Sequence, residues 1–243
     1  MKSIGKYILF IKSMFIRMES FVTYARLTID ESMKIGIDSI FLVTIVSTFI
    51  GAVTTLQTAY NLISPFIPDY VIAVVVRDMT VLELAPTVMA IVYAGKVGSH
   101  IAGELGTMRI TEQIDALEVM GINSSSYLVL PKILASVLMY PMLVILSGFL
   151  SLFGGYLAGT LTGVISATDY VYGVRADFME YNIFFALAKS YAFAFIVASI
   201  SSYKGYYTEG GALEVGKAST SAVTNSCIGI LCADFILTKL LLQ

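Results

Sequence analysis

Five charged side chains lie within or next to long apolar stretches of this sequence, where they could bind a polar ligand or an ion. They are Arg77, Asp78, Glu83, Lys189 and Asp234. A charge at the centre of a bilayer costs about 2.5–3.5 kcal/mol on insertion scales, so we expect these groups to be paired, to lie near an interface or to face a wet cavity. Two interpretations follow: charge pairs that hold helices together, or the polar lining of a cavity that accepts a lipid headgroup or an ion.

Polar residues at the end of the first apolar stretch would add hydrogen-bonding groups to such a cavity. Gln57, Tyr60 and Asn61 stand there, just before a short loop that contains prolines. We therefore predict a cavity for a lipid headgroup or an ion, and its predicted lining is Gln57, Tyr60, Asn61, Leu62, Arg77, Glu83 and Asp234.

Other kinds of site find little support. His100 is the only histidine, and no cysteine or carboxylate stands at a spacing that would define a metal site. Cys227 and Cys232 are five residues apart, which suits neither zinc binding nor a redox pair. Residues 211–217 match most of a phosphate-binding loop, but Ala218 lacks the hydroxyl that would bind Mg²⁺. We expect those glycines to form a turn between helices, and we expect no catalytic residue, metal site or cofactor in this chain.

The elements that position these residues must lie in a membrane. Of the 243 residues, 57% are hydrophobic and 13% are charged, against ~25% charged in an ordinary soluble domain. The lysines and arginines are dispersed along the chain and form no single patch, so nucleic-acid binding is not supported.

Five stretches are long and apolar enough for a membrane span, which needs ~20 residues. The predicted spans cover 39–60, 71–94, 133–160, 183–203 and 221–242. Within 1–35, apolar residues recur at helical spacing while basic residues lie on other faces, which predicts an amphipathic helix in the membrane surface. The expected fold is an all-α integral membrane protein, with residues 1–243 forming a single membrane domain.

Small residues recur every four positions in the third predicted span, which predicts a close approach of another helix. They are Ser147, Ser151, Gly155, Gly159 and Gly163. The contact is either packing inside the subunit or a contact between two subunits.

The polar segment 94–131 separates the second and third predicted spans. We predict a bend at 103–106 and a short amphipathic helix at 107–120, within 104–121, that ends at Gly121. Such a helix would dock into a cleft on a soluble partner and transmit its motion; the alternative is an ordinary solvated loop. The predicted coupling residues are Glu104, Thr107, Met108, Arg109, Glu112, Gln113, Asp115 and Met120.

The distribution of lysine and arginine predicts the topology. Of the 15 basic residues, six lie in 1–35, three in 96–132 and two in 203–218, whereas 58–70 and 162–182 together hold only Arg175. The positive-inside rule then places the N-terminus and the polar segment in the cytoplasm. Five spans would put the C-terminus on the opposite side.

Several motifs in this chain resemble one family. They are ELAP at 83–86, AGKVGS at 94–99, AGELGTMR at 102–109, TEQIDAL at 111–117 and, more weakly, ADF at 233–235. With them the chain resembles the permease subunit of the MCE-associated ABC transporters, the family that includes the permease of the bacterial Mla lipid-asymmetry system. One departure is Leu82, at a position where members of that family often have arginine.

The resemblance implies a multi-pass protein of the bacterial inner membrane that forms a homodimer. It implies two ABC ATPase subunits on the cytoplasmic side, which would bind ATP and Mg²⁺, and an MCE-domain protein on the periplasmic side. A phospholipid would occupy a cavity between the two permease copies. The chain itself would be non-catalytic.

A second hypothesis comes from a different mechanistic class. Arg77, Asp78, Glu83 and Asp234 could form the relay of an ion-coupled secondary transporter. Such carriers often consist of two repeated halves, and the five predicted spans show no such repeat.

Overall fold

The structure is a computed structural model that describes residues 2–14, 20–62 and 67–241, and within these ranges its regular elements are all helical. The helices are α1 (Lys2–Ser13), α2 (Phe21–Ser32), α3 (Asp38–Asn61), α4 (Tyr70–Met79), α5 (Met89–Tyr93), α6 (Ser99–Ile110), α7 (Gln113–Val119), α8 (Ser124–Leu161), α9 (Ala167–Arg175), α10 (Tyr181–Tyr206) and α11 (Ala212–Leu241). Three π-helical stretches join successive helices at Met33–Ile37, Thr80–Val88 and Ala94–Gly98. The predicted all-α class is therefore confirmed for the described residues.

Four helical stretches among the described residues are long and apolar enough to cross a membrane. They are Phe21–Asn61, Ser124–Leu161, Tyr181–Tyr206 and Ala212–Leu241. The predicted second span, 71–94, is helical but does not belong to these four, and it carries Arg77, Asp78 and Glu83. The chain is thus a multi-pass membrane protein, whereas a count of five spans stays a prediction.

The helices extend beyond the predicted spans. The third begins at Ser124 instead of residue 133, and the last begins at Ala212 instead of 221. Ser124, Ser125 and Ser126 belong to the polar segment before the third predicted span, but all three are helical and buried, and their hydroxyls hydrogen bond to neighbouring helices. A polar helix start is stable here because tertiary contacts satisfy it.

The N-terminal region differs from the single amphipathic helix predicted within 1–35. It contains α1 and α2, and residues 15–19 between them lie outside the described range. Ser20 caps α2 by accepting a hydrogen bond from the backbone N–H of Thr23. α2 then continues through the π-helical turn into α3, so no loop separates it from the first span. Its location in the membrane surface stays a prediction.

The described residues form two compact units. Unit 1 falls within Met1–Ser39, Ala90–Tyr140 and Tyr191–Gln243, and unit 2 within Ile40–Met89 and Pro141–Ser190. In unit 1, α6 packs against α11, and in unit 2, α4 packs against α9. The core of unit 2 includes Ala59, Ile72, Ala73, Val76, Ile165 and Tyr170.

The small residues of α8 pack against α3 inside unit 2. The hydroxyl of Ser47 donates to that of Ser147 at 2.8 Å, and the hydroxyl of Ser151 donates to the Ser47 carbonyl at 2.9 Å. A Cβ atom at Gly155 would meet the side chains of Thr55 and Tyr170. The contact is therefore internal to the subunit up to Gly159, whereas Gly163 lies beyond α8 with a positive φ of 72° and no close neighbour.

Gly154 provides a test of this close approach. A Cβ atom there would overlap the backbone of Thr48, so Gly154→Ala is expected to destabilise the protein by about 1–3 kcal/mol through overpacking. The thermal unfolding midpoint of the detergent-solubilised protein measures the effect. Gly216→Ala is the matched control because Gly216 lies within α11 with open space around it. Equal midpoints for the two variants would contradict the predicted contact.

Candidate functional site

The polar segment folds as two helices with a break between them. α6 continues through Gly103 and Gly106, where a bend was predicted, because these glycines admit side chains of the neighbouring segment: Ser219 near the first, Val215 and Thr208 near the second. The break comes instead at Glu112, whose φ of 61° is left-handed, and α7 starts at the next residue. The prediction of one helix at 107–120, within 104–121, is therefore wrong: α6 ends at Ile110 and α7 covers Gln113–Val119.

An ion pair spans this break. Arg109 Nη1 lies 2.5 Å from Asp115 Oδ1, and the two side chains are 34% and 50% exposed. A pair this accessible to water contributes little to global stability, but it connects the end of α6 to the first turn of α7. After α7, Gly121 has a φ of 80° and its backbone N–H donates to the Glu118 carbonyl, so the predicted closure at Gly121 is confirmed.

The inner side of α7 is attached to two long helices. Ile114 is fully buried. The Glu118 carboxylate accepts hydrogen bonds from Ser124 at 2.8 Å and from the Tyr206 hydroxyl at 3.1 Å, and those two hydroxyls lie 2.6 Å apart. Glu118 thereby connects α7 to the first residue of α8 and the last residue of α10. It was absent from the predicted coupling residues.

The outer end of α7 is apolar and accessible. Val119 is 89% exposed and Met120 65% exposed at the C-terminal end of α7, and the polar residues Glu112 and Gln113 are exposed at its N-terminal end. Of the other predicted coupling residues, Thr107 is exposed and Met108 partly buried, both on α6 before the break. Glu104 lies further back on α6, where its carboxylate contacts Lys132.

Unit 2 contains an ion pair between two of the five charged residues that were expected to be paired or to line a cavity, although the sequence did not identify the partners. Lys189 on α10 is fully buried, and its ammonium lies 2.7 Å from Glu83 Oε1 and donates to the Leu82 carbonyl at 3.2 Å. The other Glu83 oxygen accepts from the Thr87 hydroxyl at 3.1 Å. At Leu82, where the resemblance led us to expect arginine, the backbone carbonyl contacts the positive charge of Lys189 on α10.

The local backbone at Glu83 is π-helical. Pro86 lies within this stretch and lacks a backbone N–H, so an α-helical hydrogen bond is missing there. π-helical turns are frequent at functional sites. The Glu83 side chain is 45% exposed although its partner Lys189 is fully buried, so one side of the carboxylate remains available to a ligand.

Arg77 is buried and attaches α4 to the end of α9. Its guanidinium contacts Asp78 at 2.9 Å and donates to the backbone carbonyls of Gly173, Val174 and Ala176. A cation at a helix C-terminus is electrostatically favourable. Arg77 also lines a cavity of about 250 Å³ whose other walls are apolar and include Val81, Phe149, Phe178 and Leu187.

The remaining predicted cavity residues occupy other places. Gln57, Tyr60 and Asn61 are exposed at the end of α3, and Leu62 packs against the unit 2 core. Asp234 is partly buried on α11, in unit 1. A single cavity formed by all seven residues therefore stays a prediction.

The resemblance to a phosphate-binding loop has no counterpart in the geometry. Gly210 and Gly211 form the turn between α10 and α11, but Gly216 lies within α11, contrary to the prediction that it belongs to the turn. Lys217 is also helical and pairs with Glu214 at 2.6 Å. Among the described residues, no group of three or more His, Cys, Asp or Glu side chains could hold a metal ion.

Comparisons with known proteins agree with one another. A family profile described as "Permease MlaE" matches residues 28–240. A protein of Rickettsia bellii named "Probable ABC transporter permease protein" is 37% identical over 239 residues, which cover 98% of this chain and 92% of that protein. A similarly named Synechocystis protein is 36% identical over 218 residues, covering 90% of this chain and 82% of that protein.

A plant relative extends the comparison. The Arabidopsis thaliana protein "TRIGALACTOSYLDIACYLGLYCEROL 1, chloroplastic" is 32% identical over 218 residues, 90% of this chain and 62% of that protein. The profile match and the near full-length identities lead to one conclusion: the chain belongs to the MlaE permease family and is a multi-pass transporter permease.

Proposed function

We propose that this permease is the membrane subunit of an ABC-type phospholipid transporter and that partner subunits hydrolyse ATP. Family membership and the relatives named ABC transporter permease support the transporter class. The Arabidopsis relative, which is named after a glycerolipid, supports a lipid as cargo. ATP and Mg²⁺ would be bound by two ABC ATPase subunits, and this chain would be non-catalytic.

The geometry of α7 carries the proposal. This short helix presents Val119 and Met120 to solvent, while Glu118 hydrogen bonds to α8 and α10. Adjacent exposed apolar side chains at the end of a helix favour a contact with another protein. An ATPase that moves Val119 would therefore move two long helices as well. The predicted coupling residues Glu112, Gln113 and Asp115 lie at the N-terminal end of α7.

The lipid would bind where polar and charged side chains meet apolar walls. The half-exposed carboxylate of Glu83, with Lys189 behind it, offers charge and hydrogen bonds, and Gln57, Tyr60 and Asn61 offer further polar groups. We propose that two copies of the chain enclose this cavity as a homodimer. α10 carries both Lys189 and Tyr206, so motion of α7 would reach the Glu83 ion pair through one helix.

The topology follows from the basic residues. The N-terminus, α6 and α7 would face the cytoplasm, and the C-terminus would face the periplasm of a bacterial inner membrane. An MCE-domain protein would bind on the periplasmic side and exchange lipid with the cavity.

Co-purification and reconstitution test this function together. An ATPase should stay bound to the tagged permease in mild detergent, and the complex should move fluorescent phospholipid in proteoliposomes only when ATP and Mg²⁺ are present. An ATPase-deficient complex serves as the control. Transport driven by an ion gradient, without any bound ATPase, would instead identify an ion-coupled secondary transporter.

A further inference from the structure

Lys132 lies at the centre of a buried charge network in unit 1. Its side chain is 3% exposed, and its ammonium lies 2.9 Å from Glu31 Oε2 and 2.5 Å from Glu104 Oε2. Lys34 approaches the same two carboxylates at 3.1 and 3.9 Å, from a side chain that is 50% exposed. Two lysines and two glutamates thus balance one another, with Lys132 as the buried member.

Such a network is a poor source of net stability. Removing two charges from water costs several kcal/mol per ion, and an apolar replacement of similar volume is often neutral or stabilising. The geometry points to a role in positioning, because the carboxylates and the ammonium at its centre belong to three different helices, α2, α6 and α8.

The contact between Glu104 and Lys132 joins the two ends of the stretch that contains the predicted coupling helix α7. Glu104 is on α6, before the break at Glu112, and Lys132 is on α8, after α7. Their contact therefore fixes both ends of the stretch 105–131, which contains α7. Within this stretch, α7 is attached separately through the Glu118 hydrogen bonds to Ser124 and Tyr206.

Glu31 connects a third helix, α2, to the contact between α6 and α8. It is on α2, which continues through the π-helical turn at Met33–Ile37 into α3. Displacement of α6 or α8 at Lys132 therefore acts on the helix that leads into the first candidate span. The Arg109–Asp115 pair and the Glu118 hydrogen bonds do not reach α2, whereas the Tyr24 hydroxyl of α2 contacts Ser126 of α8 without carrying charge.

We propose that Lys132 is a positioning residue that transmits motion of the coupling helix α7 to the first membrane-spanning helix through Glu104 and Glu31. This inference rests on the proposed function. The step involves no covalent chemistry: the ammonium keeps α2, α6 and α8 in one arrangement, so that an ATP-driven shift of α7 moves all three together.

The test compares transport with ATP hydrolysis in the reconstituted complex. Lys132→Met is expected to lower the amount of lipid moved per ATP hydrolysed about fivefold or more, the lower end of typical coupling free energies, while the ATPase stays bound and active. Lys132→Arg keeps the charge and should restore most of the ratio. Lys217→Met is the matched control, since Lys217 pairs with Glu214 on an exposed face of α11, and its ratio should equal that of the wild type.

Glu31→Gln keeps the test decisive if Lys132→Met does not insert into the membrane. It leaves Lys132 paired with Glu104 but weakens the attachment of α2, so a well-inserted complex should again move less lipid per ATP. A wild-type ratio in Glu31→Gln, or in an inserted Lys132→Met, would overturn the inference. If the wild-type complex moves no lipid with ATP, the proposed function fails first, and this result is distinct from the other two.

Discussion

Glu83→Gln is expected to abolish lipid transport and to lower the unfolding midpoint more than Lys189→Met does. The reason is an asymmetry in burial: the Lys189 side chain is fully buried, whereas that of Glu83 is 45% exposed. The glutamine variant removes a negative charge 2.7 Å from a buried ammonium, and breaking a buried pair in this way costs about 3–5 kcal/mol. The methionine variant leaves a carboxylate that is less buried and keeps its hydrogen bond from Thr87, so its cost is smaller.

Transport and stability separate the two roles of this pair. Both variants should lose ATP-dependent lipid movement in proteoliposomes, because each removes charge from the proposed headgroup site. The double variant Glu83→Lys with Lys189→Glu should recover part of the stability, and Lys217→Met, on an exposed pair of α11, should change neither property. Equal unfolding midpoints for Glu83→Gln and Lys189→Met would show that burial of Lys189 does not control the pair.

The sequence was sufficient to predict the class of fold and several boundaries. Long apolar runs predicted helices, and Gly121 predicted the end of α7 because glycine accepts the positive φ of 80° found there. The small residues of α8 predicted a close helix contact without identifying the partner, which is α3. These features depend on local periodicity or on one residue, so a sequence carries them directly.

The partners in the charge pairs could not be predicted from local sequence patterns. Lys189 is 106 positions from Glu83, and Lys132 is 101 positions from Glu31. No local spacing connects such residues, and only the packed helices bring them together. The intramembrane position of Lys189 was a usable signal, since a buried lysine requires a counter-charge. Lys132, near a predicted loop, gave no comparable signal.

The break at Glu112 was missed for a different reason. Apolar residues at helical spacing continue across it, so periodicity alone favours one helix. A non-glycine residue with a φ of 61° is uncommon, and tertiary contacts must hold it in place. The Arg109–Asp115 pair and the burial of Ile114 supply such contacts. Local propensity was therefore overridden by packing at the segment proposed to contact the ATPase.

Val119→Asp is expected to detach the ATPase while leaving the permease folded and inserted. Val119 is 89% exposed in the isolated chain and makes no contribution to its core. In the proposed complex the same side chain would enter an apolar cleft, where a carboxylate would be desolvated. Loss of a central apolar contact costs about 2 kcal/mol or more, so affinity should fall about 30-fold or more. Binding of the purified ATPase to the detergent-solubilised permease measures this change.

A second substitution of the same type separates docking from a general effect of added charge. Val171→Asp places the same carboxylate on α9, where Val171 is 42% exposed and where the basic-residue count predicts the periplasmic side. This variant should bind the ATPase as the wild type does. Met120→Asp, next to Val119 and 65% exposed, should weaken binding as Val119→Asp does. If Val119→Asp and Met120→Asp both retained wild-type affinity, the ATPase contact would have to lie elsewhere, and α7 would be an ordinary solvated connection.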